Sequence, residues 1–233
     1  MSCLNKSWSM RYYRSFFILV GLALATLHNT AYATEVADDY QEALVALKSG
    51  KPDQALQLVD ALLVRNPLPR AIELKGRILH AQGKYVEAEN FYFSALEKDP
   101  AMVSPHFYLG EASFRRKAWS ESIQYFRNHL SKAKDSKDSI LKMIYAYIAT
   151  GNFAEAARWT TALDPVDEFY PCYYFGRAAM AFSEGKLKEY SEILQQARTI
   201  YGNDVYNAYE PDLLFLLKAL PKRETTAPAL KTQ

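Results

Sequence analysis

Cysteine is nearly absent from these 233 residues, with only Cys3 and Cys172 present. Histidine is scarce as well, at positions 28, 80, 106 and 129, and no two stand three or four residues apart. That excludes a helical histidine pair and the His-Glu-x-x-His zinc motif. The nine glycines are all single, so neither a Gly-rich phosphate loop nor a Gly-x-Ser-x-Gly elbow can be built. No charge of one sign dominates. The 28 basic and 26 acidic side chains give a formal charge of +2, without the basic stripe that nucleic acid requires. No apolar run reaches the ~20 residues of a membrane-spanning helix. Catalytic, metal-binding and cofactor-binding residues are therefore assigned to no position. Paired acids such as Glu87/Glu89 and Asp38/Asp39 read as solvated helix exteriors, and His80 and His106 as polar groups on helices.

The first 33 residues have the order of a secretory leader. Lys6, Arg11 and Arg14 precede the apolar stretch Phe16 to Leu27, and Ala31-Tyr32-Ala33 follows as a small-x-small cleavage site. No acid occurs before Glu35. Met10 offers a second start that leaves a leader of more ordinary length, and an uncleaved leader anchored in the inner membrane is the alternative. Cys3 precedes the apolar stretch, so it is not placed for lipoprotein processing. Cleavage after Ala33 removes three of the 28 basic residues and leaves 25 against 26 acids, a net charge of −1. The exported chain keeps Cys172 alone, so no internal disulfide forms and stability comes from packing. Cys172 stands among aromatics in Tyr170-Pro171-Cys172-Tyr173-Tyr174-Phe175 and reads as a buried small hydrophobe rather than an activated thiol.

What the remainder does contain is a period. Gly50 and Gly83, Ala55 and Ala88, and Pro67 and Pro100 are each 33 apart. Gly76 and Gly110, Tyr85 and Trp119, Tyr92 and Phe126, Trp119 and Phe153, and Ser122 and Ala156 are each 34 apart. Within a period the pattern is helix, tight turn, helix, proline. Ile72, Leu74, Ile78 and Leu79 suit a buried helix, and Gly83 supplies the left-handed residue that ends it. Tyr85, Ala88, Tyr92, Ala95 and Leu96 line one face of the next helix, which Asp99-Pro100 closes. Such a pair cannot bury both its faces alone, and stacked copies can.

On Gly76, Tyr85, Ala88, Ala95 and Pro100, and on their partners in the neighbouring copies, the chain resembles the tetratricopeptide repeat family. Further copies run from Tyr40 (Gly50, Pro52, Ala55, Pro67), through Phe107-Tyr108-Leu109-Gly110 with Trp119, Ser122 and Phe126, and from Ile140 (Tyr147, Gly151, Phe153, Ala156, Pro165). A fifth copy carries Gly176, Gly185, Leu194 and Ala197. Its two glycines are nine apart against seven for Gly76 and Gly83, so a longer first helix or a different turn is expected there. The family's early tryptophan is replaced by Ile72, His106 and Ile140.

The resemblance implies an all-α fold, a right-handed superhelix (solenoid) of antiparallel helix pairs with four to five repeats. The repeat domain is expected over 34–202, a C-terminal capping helix over 203–220, and a polar disordered tail over 221–233. Glu210-Pro211-Asp212 is expected to start that last helix, with proline in its first turn. Leu213, Leu214, Phe215, Leu216, Leu217 and Leu220 make it apolar nearly all round, so Leu213, Phe215, Leu216 and Leu217 offer a possible homo-oligomer contact.

In this family the concave face, lined by the first helix of each pair, holds a protein or peptide partner. The resemblance places Tyr40, Leu44, Arg70, Glu73, Arg77, His80, Phe107, Glu111, Phe114, Arg115, Leu141, Tyr145, Tyr173 and Arg177 there. Aromatics mixed with Arg and Glu are the composition of interfaces, yet the same aromatics fit packing between repeats, and both readings stand. The family's clamp for acidic C-terminal peptides needs groove asparagines, which are missing. The expected function is a non-enzymatic scaffold or assembly factor of the bacterial cell envelope. The alternatives are an accessory subunit of an envelope glycan enzyme and a hydrolase on a helical superhelix.

Overall fold

The computed structural model describes residues 36–163 and 170–221. The expected leader, Pro165 and the tail from 222 onward lie outside the described residues. All described regular structure is helical: α1 over 36–48, α2 (Pro52–Arg65), α3 (Pro69–Ala81), α4 (Tyr85–Lys98), α5 (Ser104–Arg115), α6 (Trp119–Lys132), α7 (Lys137–Ala149), α8 (Phe153–Ala162), α9 (Pro171–Ser183) and α10 (Leu187–Ala219). The fold is a solenoid of antiparallel helix pairs closed by the longer pair α9–α10. Its described residues form two compact units, 36–84 and 85–221.

Helix starts follow from local chemistry. Proline occupies the first turn of α2, α3, α5 and α9, where its missing N–H costs no hydrogen bond. Ser136 and Asn152 cap α7 and α8 by accepting from the N–H groups of Ser139 and Glu155 at 3.4 and 3.3 Å. Helix ends are more uniform still. The N–H groups of Lys51, Lys84, Ala118, Asn152 and Lys186 each reach back five residues, to the carbonyls of Ala46, Leu79, Ser113, Tyr147 and Ala181, at 2.9–3.0 Å. That bond is the signature of a left-handed C-cap, and the residue before each donor has positive φ: Gly50, Gly83, Lys117, Gly151 and Gly185. The turn thus recurs at steps of 33, 34, 34 and 34.

This register corrects the reading of the fifth copy. Gly185 is 34 past Gly151, and α9 has 13 residues, as α3 and α7 have, so neither helix nor turn is unusual. Gly176 is simply not the counterpart of Gly110; that position falls on buried Ala178. Gly176 has its own reason to be small, since a Cβ there would sit 3.2 Å from methyl carbons of both Ile144 and Leu163.

The first unit packs Ala43 and Ala46 of α1 against Ala55 and Val59 of α2 and Leu74 and Ile78 of α3. Gln82 and Asp53 tie the end of α3 to α2 by a 2.8 Å hydrogen bond. In the second unit the small residues Ala88, Ser122 and Ala156 are fully buried at 34-residue steps. Gly110 lets α5 and α6 close up, because a Cβ on it would meet the Phe126 ring at 2.7 Å, and Ser122 Oγ donates to its carbonyl at 3.0 Å. Glu89 is not a solvated exterior acid. It accepts from Arg116 Nε at 3.0 Å and Ser113 Oγ at 3.3 Å, fastening α4 to α5, and in the first unit Asp39 pairs with Arg65.

Helix α7 is the centre of the second unit. Every residue from Ser139 to Ile148 is buried, so its sequence is apolar nearly all round, as a helix enclosed on all sides must be. Its enclosure is completed by α10. That helix is interrupted at Gly202, whose φ of 75° and ψ of 174° are not helical. Pro211 lies inside the stretch that follows rather than at its start, because helix resumes directly after Gly202. The Asn207 carbonyl accordingly loses the bond that an N–H at 211 would donate.

Candidate functional site

Among the expected groove positions, Glu111, Phe114 and Arg115 on α5 and Tyr145 on α7 converge on one face of the second unit. They do not form an open strip. Phe114 and Tyr145 are fully buried, and residues 203–219 lie over them. The Phe215 ring stands 5.5 Å from Phe114 and 6.2 Å from Trp119, with the Arg115 guanidinium 5.2 Å over its face. Leu213 and Leu216 are fully buried on the same side, so they are spent within the chain and are not free for a homo-oligomer contact. Tyr206 and Tyr209 reach α9, their rings 5.4 and 5.5 Å from Phe175. Tyr209 also donates to Asp138 at the start of α7, at 3.1 Å.

At the centre is a buried ion cluster. Lys142 Nζ lies 2.7 Å from Glu111 Oε1 and 2.7 Å from Asp212 Oδ2, with only 7% of its side chain exposed, and Asp212 also pairs with Arg115. Burial alone would depress the Lys142 ammonium, but Glu111 and Asp212 outweigh it and hold the group above its ordinary value. Burial would raise Asp212, but Lys142 and Arg115 together hold it below the ordinary carboxylate range. Lys142 and Asp212 therefore stay charged at neutral pH. Lys142 also caps the Phe114 ring at 5.2 Å. Beside it the Tyr145 hydroxyl is buried with no hydrogen-bond partner among the described residues, and burial followed by the Asp212 charge pushes its pKa well up.

The other expected positions fall elsewhere. Phe107 turns to α6, 5.6 Å from Phe126 and 5.4 Å from His129. Tyr173 and Arg177 pair with each other, with a 2.9 Å hydrogen bond and the guanidinium 5.2 Å over the ring. Leu141 is buried in the core of the second unit. In the first unit, Arg70 lies 6.0 Å over Tyr40, Leu44 packs against the core, Glu73 is buried, and Arg77 and His80 are half-buried. Sequence reasoning missed Lys142 and Asp212. Lys142 is a lone cation within the apolar run of α7, and that isolation is the signal that marks it.

Among the described residues no three His, Cys, Asp or Glu side chains could hold a metal. The Cys172 thiol is buried and donates to Asp138 at 3.3 Å, and burial followed by that carboxylate pushes it far above the ordinary thiol range. A thiol so held does not form the thiolate that nucleophilic attack needs.

A family model for the tetratricopeptide repeat matches residues 40–103. The chain has the tetratricopeptide-repeat fold. A tetratricopeptide-repeat protein of Thermus thermophilus superposes with a TM-score of 0.63 at 18% identity, over 77% of this chain and 99% of that one. Another from Parabacteroides merdae gives 0.59 at 16%, over 80% and 75%. PilF of Pseudomonas aeruginosa gives 0.58 at 17%, over 85% and 97%. No curated protein sequence matches. The chain shares the architecture of these proteins. No helix among the described residues is long and apolar enough to cross a membrane.

Proposed function

We infer that this protein is an exported scaffold or assembly factor of the bacterial cell envelope, holding a helical segment of a partner on the face formed by α5, α7 and α9. The observation that carries the reading is residues 203–219. A face that already accommodates an amphipathic helix, with two buried leucines, a seated phenylalanine and a carboxylate locked between two cations, has the geometry for holding helices. YrrB, a protein of the same fold with a TM-score of 0.54, has an unusual peptide-binding site, which makes peptide capture compatible with this architecture. Export rests on the basic, apolar and small order of residues 1–33.

Site-specific photocrosslinking in intact cells tests the partner face. Photoreactive residues at Trp119 and Asp138, which stand beside Phe215 and Tyr209, should give adducts with a second polypeptide. The same probes at the exposed Glu97 of α4 and Arg158 of α8 should not. Adducts confined to α4 and α8 would remove the assignment. Export is tested by intact mass: the cell-envelope form should begin at Thr34, and a chain that keeps Phe16 to Leu27 would be membrane-anchored instead.

A further inference from the structure

The second half of α10 occupies the surface that the functional reading assigns to a partner, and four features of its attachment point the same way. Among the described residues, its covalent link to the packed part of the chain is the non-helical Gly202, in a backbone conformation that other residues rarely adopt. Pro211 removes one hydrogen bond from its interior. Its outward side is solvent-exposed at Leu214 and Lys218. The fourth feature concerns what it would leave behind. Lys142 keeps Glu111 at 2.7 Å if Asp212 departs, and Arg115, already partly exposed, can be hydrated. Opening therefore strands no buried charge without a partner, the usual penalty that makes such a contact permanent.

Resting on the scaffold reading above, we propose that residues 203–219 are a detachable internal occupant of the α5–α7–α9 face, displaced by a partner helix that presents the same pattern. That pattern is an acid to bridge Arg115 and Lys142, leucines one and four positions later, and an aromatic three positions later to enter the Phe114–Trp119 corner. The internal helix then sets a threshold. A partner must exceed the self-association of a covalently linked competitor, and its apparent affinity falls by the fraction of time the face is closed.

Hydrogen exchange on the wild-type mature chain reads detachment directly. Amides of 203–219 should exchange at least about tenfold faster than those of α7, in a separate opening event. Exchange of both in a single common event overturns the proposal. The second arm uses a labelled synthetic peptide of residues 203–220. It should bind the full-length Phe215→Ala chain at least about tenfold more tightly than wild type, because only the internal competitor is weakened. A peptide carrying Asp212→Lys should lose that binding. Equal affinity for the two chains, or binding to neither, overturns the competition. If the peptide fails while photo-adducts at Trp119 and Asp138 persist, the scaffold reading stands without the switch. If the peptide behaves as expected and those adducts are absent, the face serves only its own helix and the scaffold reading fails.

Discussion

Lys142 Nζ and the Asp212 carboxylate meet at 2.7 Å inside the second unit, joining the central helix of a solenoid to the last helix of the chain. Glu111 holds the same ammonium from α5, and Arg115 holds the same carboxylate. The two central members are not equivalent. Asp212 can leave with its helix and Lys142 cannot. Substituting them should therefore have unequal effects. Lys142→Met strands Glu111 in a nearly closed site and should cost about 3–5 kcal/mol, the range for breaking a buried pair from one side. Asp212→Asn leaves Lys142 with Glu111 and should cost less, about 1–3 kcal/mol. Urea unfolding of the two variants orders them, and a larger loss for Asp212→Asn would contradict the geometry.

The same pair sets a pH dependence whose direction is fixed. Asp212 titrates below its ordinary value of 3.8 in the folded chain, so its contribution is complete above that value and is lost as pH falls through the lowered one. Lys142 titrates above its ordinary value of 10.5, so its contribution is complete below that value and is lost as pH rises past the raised one. Docking of the 203–219 segment should be flat across neutral pH and weaken on the acid side. Trp119, beside Phe215, reports it through near-ultraviolet circular dichroism. The wild-type signal should change on the acid side, and the Asp212→Asn chain should lack the part of that change due to this carboxylate. Identical acid titrations would assign the loss to other groups.

At the turns, one residue departs from the rule that the others follow. Lys117 has φ of 61° where Gly50, Gly83, Gly151 and Gly185 occupy the equivalent place. A side chain in that conformation costs about 1–2 kcal/mol, partly offset by the greater freedom of glycine in the unfolded chain. Lys117→Gly should raise stability by about 0.5–1 kcal/mol, and Gly151→Ala should lower it by about 1 kcal/mol. Thermal melts of both variants in the mature chain decide the matter.

Much of this was legible in the sequence because it is periodic. The small residues Ala88, Ser122 and Ala156 and the turn glycines repeat at 33–34 residues, and the structure places each where two helices meet or one helix ends. Lys117 is not legible because only glycine marks a left-handed turn in a sequence, and a lysine there carries no such signal. Gly176 misled because a glycine two positions out of register mimics the repeat's own. The docking of α10 was not legible at all. An apolar stretch, Leu213 to Leu217, led by one aspartate reads equally as a cap, an oligomer contact or a groove occupant, and the counter-ions of Asp212 lie on two distant helices. Pro211 strengthened the wrong reading, since proline is commonest at helix starts and here sits inside one.

Close approach of helices makes a prediction that tests the register itself. Ala88 is fully buried, and Ala88→Arg should cost more than about 2 kcal/mol by overpacking and burial of a charge. Gly110→Ala should cost about 1–3 kcal/mol, because the new methyl meets the buried Phe126 ring at 2.7 Å. Phe126→Leu in the same chain should recover part of that loss. Additive costs in this double-mutant cycle would place the two residues apart.

The aromatics of the expected groove give the prediction that separates packing from binding. Phe114 is enclosed by Trp119 at 5.0 Å, Phe215 at 5.5 Å and the Lys142 ammonium at 5.2 Å, so Phe114→Ala opens a cavity and removes a cation–ring contact together. Its cost should be about 3–5 kcal/mol. Phe215 touches the same ring but is only half-buried and sits on the departing helix, so Phe215→Ala should cost about 1–2 kcal/mol less than Phe114→Ala. Arg177 packs over Tyr173, away from the ion cluster, and Arg177→Ala should cost no more than about 1 kcal/mol. Guanidinium unfolding of the three variants ranks them. Phe114→Ala should melt far below the others, Phe215→Ala should keep the α7 core while loosening 203–219, and Arg177→Ala should resemble wild type. A Phe114→Ala chain as stable as Arg177→Ala would mean that the ring is not enclosed, and the open aromatic strip expected from the repeat pattern would then be the correct description of this face.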